Sequence, residues 1–409
     1  MYKANDMRLF HHFLIAAHPC IPQEHEAVWI RDVPAYSHQY DYLMHSILAL
    51  SGSHLGLFIN SPDGCMALSH RQKAIKGLEN AFSRWPPEDD EVHIMLATSY
   101  LLGFQSAYMP DGLVDHILSF RGCSLLSKFI LDNQVSGWFN VDPNMHTMWL
   151  ELRLRNFPAL DQGLARDGLQ SLAEFAPLLS RPPAREIDRT VFAQLVECIR
   201  PLLTPVDQLD PSNSPSTTPA ESQQRISNAS STSNSPPPLF PHINNPILPG
   251  EVAASFDGLM SNEMELITQV PPEHKPQPLR AFNALMSSLL VLTTYPQDQV
   301  LDFLSLSDNI SNIVLAHFVA VRFIVAPLFA PQAAMRTPIE AMVEWCEYIT
   351  QAVEDDEEVK WTRYVEWPRR ILATMRCCLD QKRGLTFGDL YNILTKDPAA
   401  FREGRMSRL

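Results

Sequence analysis

"YLMHSILALSGSHLGLF", Tyr42–Phe58, is almost unbroken in apolar and small residues, yet it holds two histidines and two glycines. As a loop, Gly52-Ser53-His54-Leu55-Gly56 would suggest a nucleophile elbow. That motif needs a central serine after a strand, whereas here His54 is central, Ser53 stands beside it and no β-branched run precedes. As a helix turning about 100° per residue, the stretch makes better sense. Leu43, Ile47, Leu50, His54 and Leu57 then share one face. Ser46, Ala49, Ser53 and Gly56 form a small-residue ridge that lets a second helix approach closely, where a larger residue at Ala49 or Gly56 is expected to overpack. His45 and His54 point to opposite sides and cannot share one metal or substrate. The stretch reads as the wall of a buried helical core, with His54 a hydrogen-bonded core histidine.

Composition agrees with a folded chain. Apolar residues make up 45% of 409 and charged residues 19%, a globular balance long enough for one large or two ordinary domains. The net charge is −14, the wrong sign for a chain that binds nucleic acid by neutralising phosphates. Cys20, Cys65, Cys123, Cys198, Cys346, Cys377 and Cys378 are scattered, without a Cys-x-x-Cys pair, which points to a reduced interior rather than a zinc cluster. Cys123, Cys346 and Cys377 lie in apolar helical contexts, where free cysteine acts as a small hydrophobe. The amino terminus lacks a signal peptide's apolar run. Ile313–Ala330 is the most membrane-like segment, but His317, Arg322 and Pro327 interrupt it, so a buried helix in a soluble chain is expected.

The chain changes character from Leu203 to about Asn244. Serine, proline, threonine and asparagine dominate there, with little to bury, so the tract is expected to be a disordered linker and a passive tether. It divides an amino-terminal helical half, 1–202, from a carboxyl-terminal half, 247–409, with the linker at 203–246. Ser214-Pro215 and Ser235-Pro236 would admit phosphorylation. Both halves read as helices that pack together, an all-α fold. Ala67–Phe82 puts Ile75, Leu78 and Phe82 on one face before Pro86-Pro87. The acidic run Glu88–Glu91 suits the start of the next helix, whose unpaired N–H groups favour negative charge. Further helices are expected at about 113–131, 144–157, 186–203, 276–292, 299–329, 337–353, 365–380 and 386–395.

Few residues ask for chemistry. His11 and His12 diverge by about 100° on a helix and, with His18 nearby, lack His-x-x-x-His metal spacing. The acidic run "EDDEEVKW", Glu354–Trp361, reads as a solvated turn between helices. "WCEYI", Trp345–Ile349, and "YVEWPRRIL", Tyr364–Leu372, read as aromatic anchors for helix packing. No phosphate-binding or dinucleotide-binding glycine motif occurs. No catalytic residue, cofactor site or metal ligand is assigned, and an enzyme is not expected.

One resemblance adds to this. "DMRLFHHFLIAAHPCI" followed by "VWIRDVPAYSHQYDYLMHSILALSGSHLG" resembles the start of the regulatory domain of fungal zinc binuclear-cluster transcription factors. The likeness is nearest to the sterol-uptake regulators and related regulators of secondary metabolism. It is carried by Asp6, Leu9, His11, His12, Trp29, Val33, Pro34, Leu43, Leu48, Ala49, Leu50, Ser51, His54 and Leu55. It continues through "ALSHRQKAIKGLENAF", "SYLLGFQSAY", "SFRGCSLL", "NIVLAHFVAVRFIVAPL" and "KWTRYVEWPRRIL". The resemblance implies an all-α, nuclear regulatory module that senses an apolar effector, sterol-like or a pathway metabolite, and meets protein partners in transcription. The family's basic zinc cluster is missing from this sequence, so direct sequence-specific DNA binding by this chain is not expected. The alternative is a metabolic-cluster accessory protein or enzyme. A pocket with perturbed titratable groups in mutual reach would favour that alternative, and a purely apolar and aromatic one would favour effector binding.

Overall fold

The computed structural model describes residues 2–19, 27–58, 63–139, 151–152, 154–155, 157–205, 256, 265–270, 272–328, 337–355 and 359–405. The fold is all-α. Among the described residues there is no strand, and one isolated bridge pairs Pro338 with Thr386. In chain order the helices are α1 Ala4–His12, α2 Val33–Tyr36, α3 Asp41–Gly56, α4 Asp63–Phe82, α5 Asp89–Ser106, α6 Leu113–Asp132, α7 Gln162–Leu179 and α8 Glu186–Ile199. There follow α9 Glu265–Thr268, α10 Pro278–Leu290, α11 Gln297–Phe303, α12 Asn309–Ile324, α13 Glu340–Glu354, α14 Glu366–Gln381, α15 Phe387–Lys396 and α16 Pro398–Arg402.

The opening stretch is α3, a helix buried on nearly every side between α1, α4 and α5. Its small-residue ridge is half as expected. Ser46 and Ala49 are fully buried, and Ser53 Oγ accepts from Gln105 Nε2 of α5 at 3.0 Å. Gly56 differs: a Cβ there would meet nothing within 4 Å, so the ridge ends one turn early. Helix α5 opens on Asp89, Asp90 and Glu91, as the acidic run predicts, and is then buried all round from Val92 to Phe104's neighbours.

Three other expectations need correction. The helix expected at 299–329 is two helices. Asp308 accepts from Ile310 N and Ser311 N, capping α12, while Leu306 sits at φ 61° between the two segments. Helix α7, which the sequence analysis did not assign, starts at Asp161, whose carboxylate accepts from Leu164 N at 3.0 Å. It buries Leu164, Leu169, Leu172, Phe175 and Leu179, each large side chain contributing about 1.5–3 kcal/mol. Cys377 is exposed, and its neighbour Cys378 takes the buried position. The helix expected at 144–157 lies mostly outside the described residues, as does the tract from 206 onward.

Apolar contacts separate into two main bodies. One gathers Phe13 and Trp29, from the π-helical turns Phe13–Ala17 and Val28–Asp32, with Leu43, Ile47, Met95, Leu101, Leu126 and Ile130 of α3, α5 and α6. The other joins α7, α8 and the Leu113–Ile117 end of α6 to the helices after the tract, around Phe175, Phe192, Phe303 and Phe323. Residues ahead of the tract are thus shared between the two bodies. Phe256 returns into the second body, edge-on to Phe192 with ring centres 5.9 Å apart. The tract's flanks are also tied together. Gln277 N donates to Pro201 O at 2.8 Å, and Gln162 accepts from Thr204 N at 2.9 Å while donating to Leu202 O.

Two predictions follow from close approaches and from the tied flanks. A Cβ at Gly168 of α7 would lie 2.7 Å from Trp367 of α14, so Gly168→Ala should cost about 1–3 kcal/mol and lower the melting temperature. Gly56→Ala, with open space around it, should leave that temperature unchanged or raise it; equal melting of both variants would contradict the packing described. Deleting 206–240 should barely change helical circular dichroism or the thermal midpoint, because the flanks already meet and the tract carries little to bury. A large loss of helicity would show that the tract is part of the fold.

Candidate functional site

Helices α4 and α6 run beside each other over α5 and leave a groove of about 890 Å³. Ile75, Leu78 and Phe82, the face read from the sequence, form one bank. Leu118 and Leu125 form the other, and Leu102 and Ser99 the floor. The second body closes one end with Leu290, Thr293, Thr294 and Gln297. The volume suits a drug-sized molecule, for which pockets run to roughly 300–1,000 Å³. Charged side chains line it too, so it is neither the purely apolar pocket nor the catalytic cluster considered above: Arg71, Arg121 and Lys128 are cationic, Glu79 and Asp115 anionic.

The two arginines do different work. Arg71 is 5% exposed, and both of its terminal nitrogens are engaged. Its Nη1 donates to Leu102 O at 3.1 Å and to Gln105 Oε1, and its Nη2 to Ser106 Oγ at 3.0 Å and Asp115 Oδ2 at 2.8 Å. It therefore fastens α4 to α5 and α6 beneath the groove. Arg121 reaches across to the second body, where Nη1 donates to Leu292 O at 3.1 Å and Tyr295 O at 2.6 Å. Those carbonyls close the turn after α10, where a helix leaves acceptors unpaired. Burial pulls the Arg121 guanidinium below the usual arginine range. Trp345 Nε1 makes a second tie between the bodies, donating to Met109 O at 2.8 Å, and its ring lies 5.5 Å from His116.

Of the three serines that line the groove, Ser99 and Ser124 are bonded to their own helices: Ser99 Oγ donates to Met95 O and Ser124 Oγ to Phe120 O. No histidine or cysteine is among the lining residues. The histidines are elsewhere, four of them in two pairs. His54 lies 2.9 Å from His12, and His45 lies 3.0 Å from His70, whose other nitrogen is 3.3 Å from Asp6. His45 and His54 do face opposite sides of α3. His11 is exposed, and His18 bonds Phe13 O. Among the described residues no group of three or more potential ligands could hold a metal ion.

One pair distant in sequence resembles a nucleophile and its base. His317 Nδ1 lies 2.8 Å from Ile313 O and Nε2 lies 2.9 Å from Ser171 Oγ, which makes Nδ1 the donor and Nε2 the acceptor. Burial drives the His317 pKa down to about 4, and the ring is stacked between Phe175 and Trp367. So weak a base withdraws little charge from a serine, and neither residue lines the groove. The pair joins α7 to α12. Trp367 and Trp345 are both buried packing residues, as the aromatic stretches suggested. No described helix is long and apolar enough to cross a membrane.

The buried imidazoles set a pH dependence. Burial lowers His45 to about 4, His116 to about 3 and His317 to about 4, from 6.5. The unfolded chain takes up these protons near pH 6.5 and the folded chain resists, so stability is complete above that pH and falls as pH drops toward about 4. The thermal midpoint should decline through this window, and His317→Gln, which keeps an amide for hydrogen bonding, should flatten the decline. A flat wild-type profile would show that these rings are not held neutral.

No protein family, no curated protein and no solved structure matches this chain.

Proposed function

We propose that this chain is the regulatory module of a fungal transcriptional regulator, acting in the nucleus on a metabolic pathway such as sterol or secondary metabolism, and that it works by binding a small effector. The transcriptional part rests on the sequence resemblance from Asp6 to Leu55. The binding part rests on one observation: a groove of about 890 Å³, with apolar banks and a few polar groups, walled by both helical bodies. Its mixed lining suits an effector with an apolar body and a polar end better than a wholly apolar one. A lining without histidine or cysteine offers the groove serines no imidazole base, which supports binding over catalysis.

Gly122 provides the test. It lines the groove, and a Cβ there would approach nothing closer than Ser99 Oγ at 3.6 Å, so Gly122→Leu fills the groove without disturbing the core. Fused to an unrelated DNA-binding domain, the wild-type chain should change the output of a reporter in a fungal host. The variant, at equal protein level, should lose that change. A wild-type fusion with no effect on the reporter would sink the transcriptional reading. An unaltered response from Gly122→Leu would remove the groove from it.

A further inference from the structure

Arg121 has an electrostatic position unlike that of its neighbours in the groove. Arg71 is balanced by Asp115 at 2.8 Å, and Lys128 by Asp132 at 3.0 Å on the exposed rim. Elsewhere Arg84, Arg280, Arg369 and Arg376 each meet a glutamate. Arg121 is half-buried and meets no carboxylate within ion-pair distance among the described residues. Its hydrogen bonds to described residues leave from Nη1, to the carbonyls of Leu292 and Tyr295. A guanidinium carries five N–H donors, and among the described residues none is bonded by Nε or Nη2, the edge that takes a carboxylate through two parallel bonds. A partly desolvated cation without a counter-charge is costly unless an anion joins it.

From this we infer that the groove takes a monoanionic amphiphile, an apolar body ending in a carboxylate, with the acid group on the Nε–Nη2 edge of Arg121. This rests on the groove being an effector site and names the class of effector. Leu118, Leu125, Leu78 and Phe82 supply the apolar contact. Glu79 and Asp115, on the same walls, disfavour a second negative charge, so a single acid group fits where a phosphate dianion does not. Arg121 also holds the second body through Leu292 and Tyr295. A ligand that neutralises it therefore acts at the seam between the bodies, not only on one wall.

Displacement of the dye Nile red from the full-length chain tests this without identifying the natural ligand. Dodecanoate, its methyl ester and dodecanol share one alkyl body and differ at the head. Dodecanoate should displace the dye at concentrations roughly ten- to hundred-fold below those of the ester and the alcohol, the range of a charge-assisted pair. Arg121→Gln should erase that advantage while leaving the two neutral compounds unchanged, and Arg121→Lys should keep part of it. The comparison of acid with ester needs no mutation, so it stands even if Arg121→Gln loosens the seam. Equal displacement by acid and ester would overturn the anion anchor and leave the groove as an effector site. Failure of all three compounds, with dye bound as well to Gly122→Leu as to wild type, would overturn the effector site itself.

Discussion

The amino-terminal body depends on one buried charge. Arg71 is a residue of α4 buried at the base of the groove, and a guanidinium so desolvated is tolerated only with hydrogen-bond partners around it. It finds the Leu102 carbonyl, Gln105, Ser106 and Asp115, and Gln105 passes the connection to Ser53 of α3. Four helices therefore meet through one polar network inside an otherwise apolar body. Apolar packing positions helices by shape, and directional bonds to a fixed fork add a constraint on register and rotation. The spacing of α4 and α6, and hence the groove between them, follows from this constraint.

The two bodies are joined in a different way. Within each, buried leucines, isoleucines and phenylalanines form continuous clusters. Between them, α6 lends Leu113 and Ile117 to the second cluster, Phe120 packs against both, and named side chains reach across to backbone carbonyls: Arg121 to Leu292 and Tyr295, and Trp345 to Met109. Such bonds contribute about 0.5–1.5 kcal/mol each, more from a charged donor. Fully buried His116 adds a neutral ring beside Trp345 and bonds Gly103 O at 2.9 Å. The seam thus combines apolar packing around Leu113, Ile117 and Phe120 with directional bonds, and a molecule bound at its edge touches both bodies.

Much of this was legible in the sequence, and what was not has physical causes. Local periodicity placed α3, α4 and α5, the acidic first turn of α5, and the face Ile75, Leu78 and Phe82 that became a groove bank. Gly56 was misjudged because a small-residue stripe says that close approach is permitted, not that a neighbour comes. Helix α7 was overlooked although its apolar residues recur at helical spacing, since Gly163, Gly168 and Pro177 lower its intrinsic propensity; packing against Trp367 decides the matter. The division at Leu306 was signalled by Asp308 as a capping residue within an otherwise apolar run. Arg121 lay in plain sight in "SFRGCSLL", but the absence of a counter-charge depends on partners 171 and 174 residues away. No pattern read along the chain could show it.

A groove walled by two bodies imposes a condition on any regulation through it. A ligand shifts an arrangement only by the difference between its affinities for the alternatives, however tightly it binds. Contacts confined to α4, α5 and α6 would be nearly the same in every arrangement of the seam and would transmit nothing. Contacts that also touch Thr293, Thr294 or Gln297, or that change the charge on Arg121, differ between a closed and an opened seam. The groove's end wall and its unmatched arginine are thus the features through which occupancy could reach the second body. The apolar banks supply affinity, and the seam supplies the difference in affinity that a regulator requires.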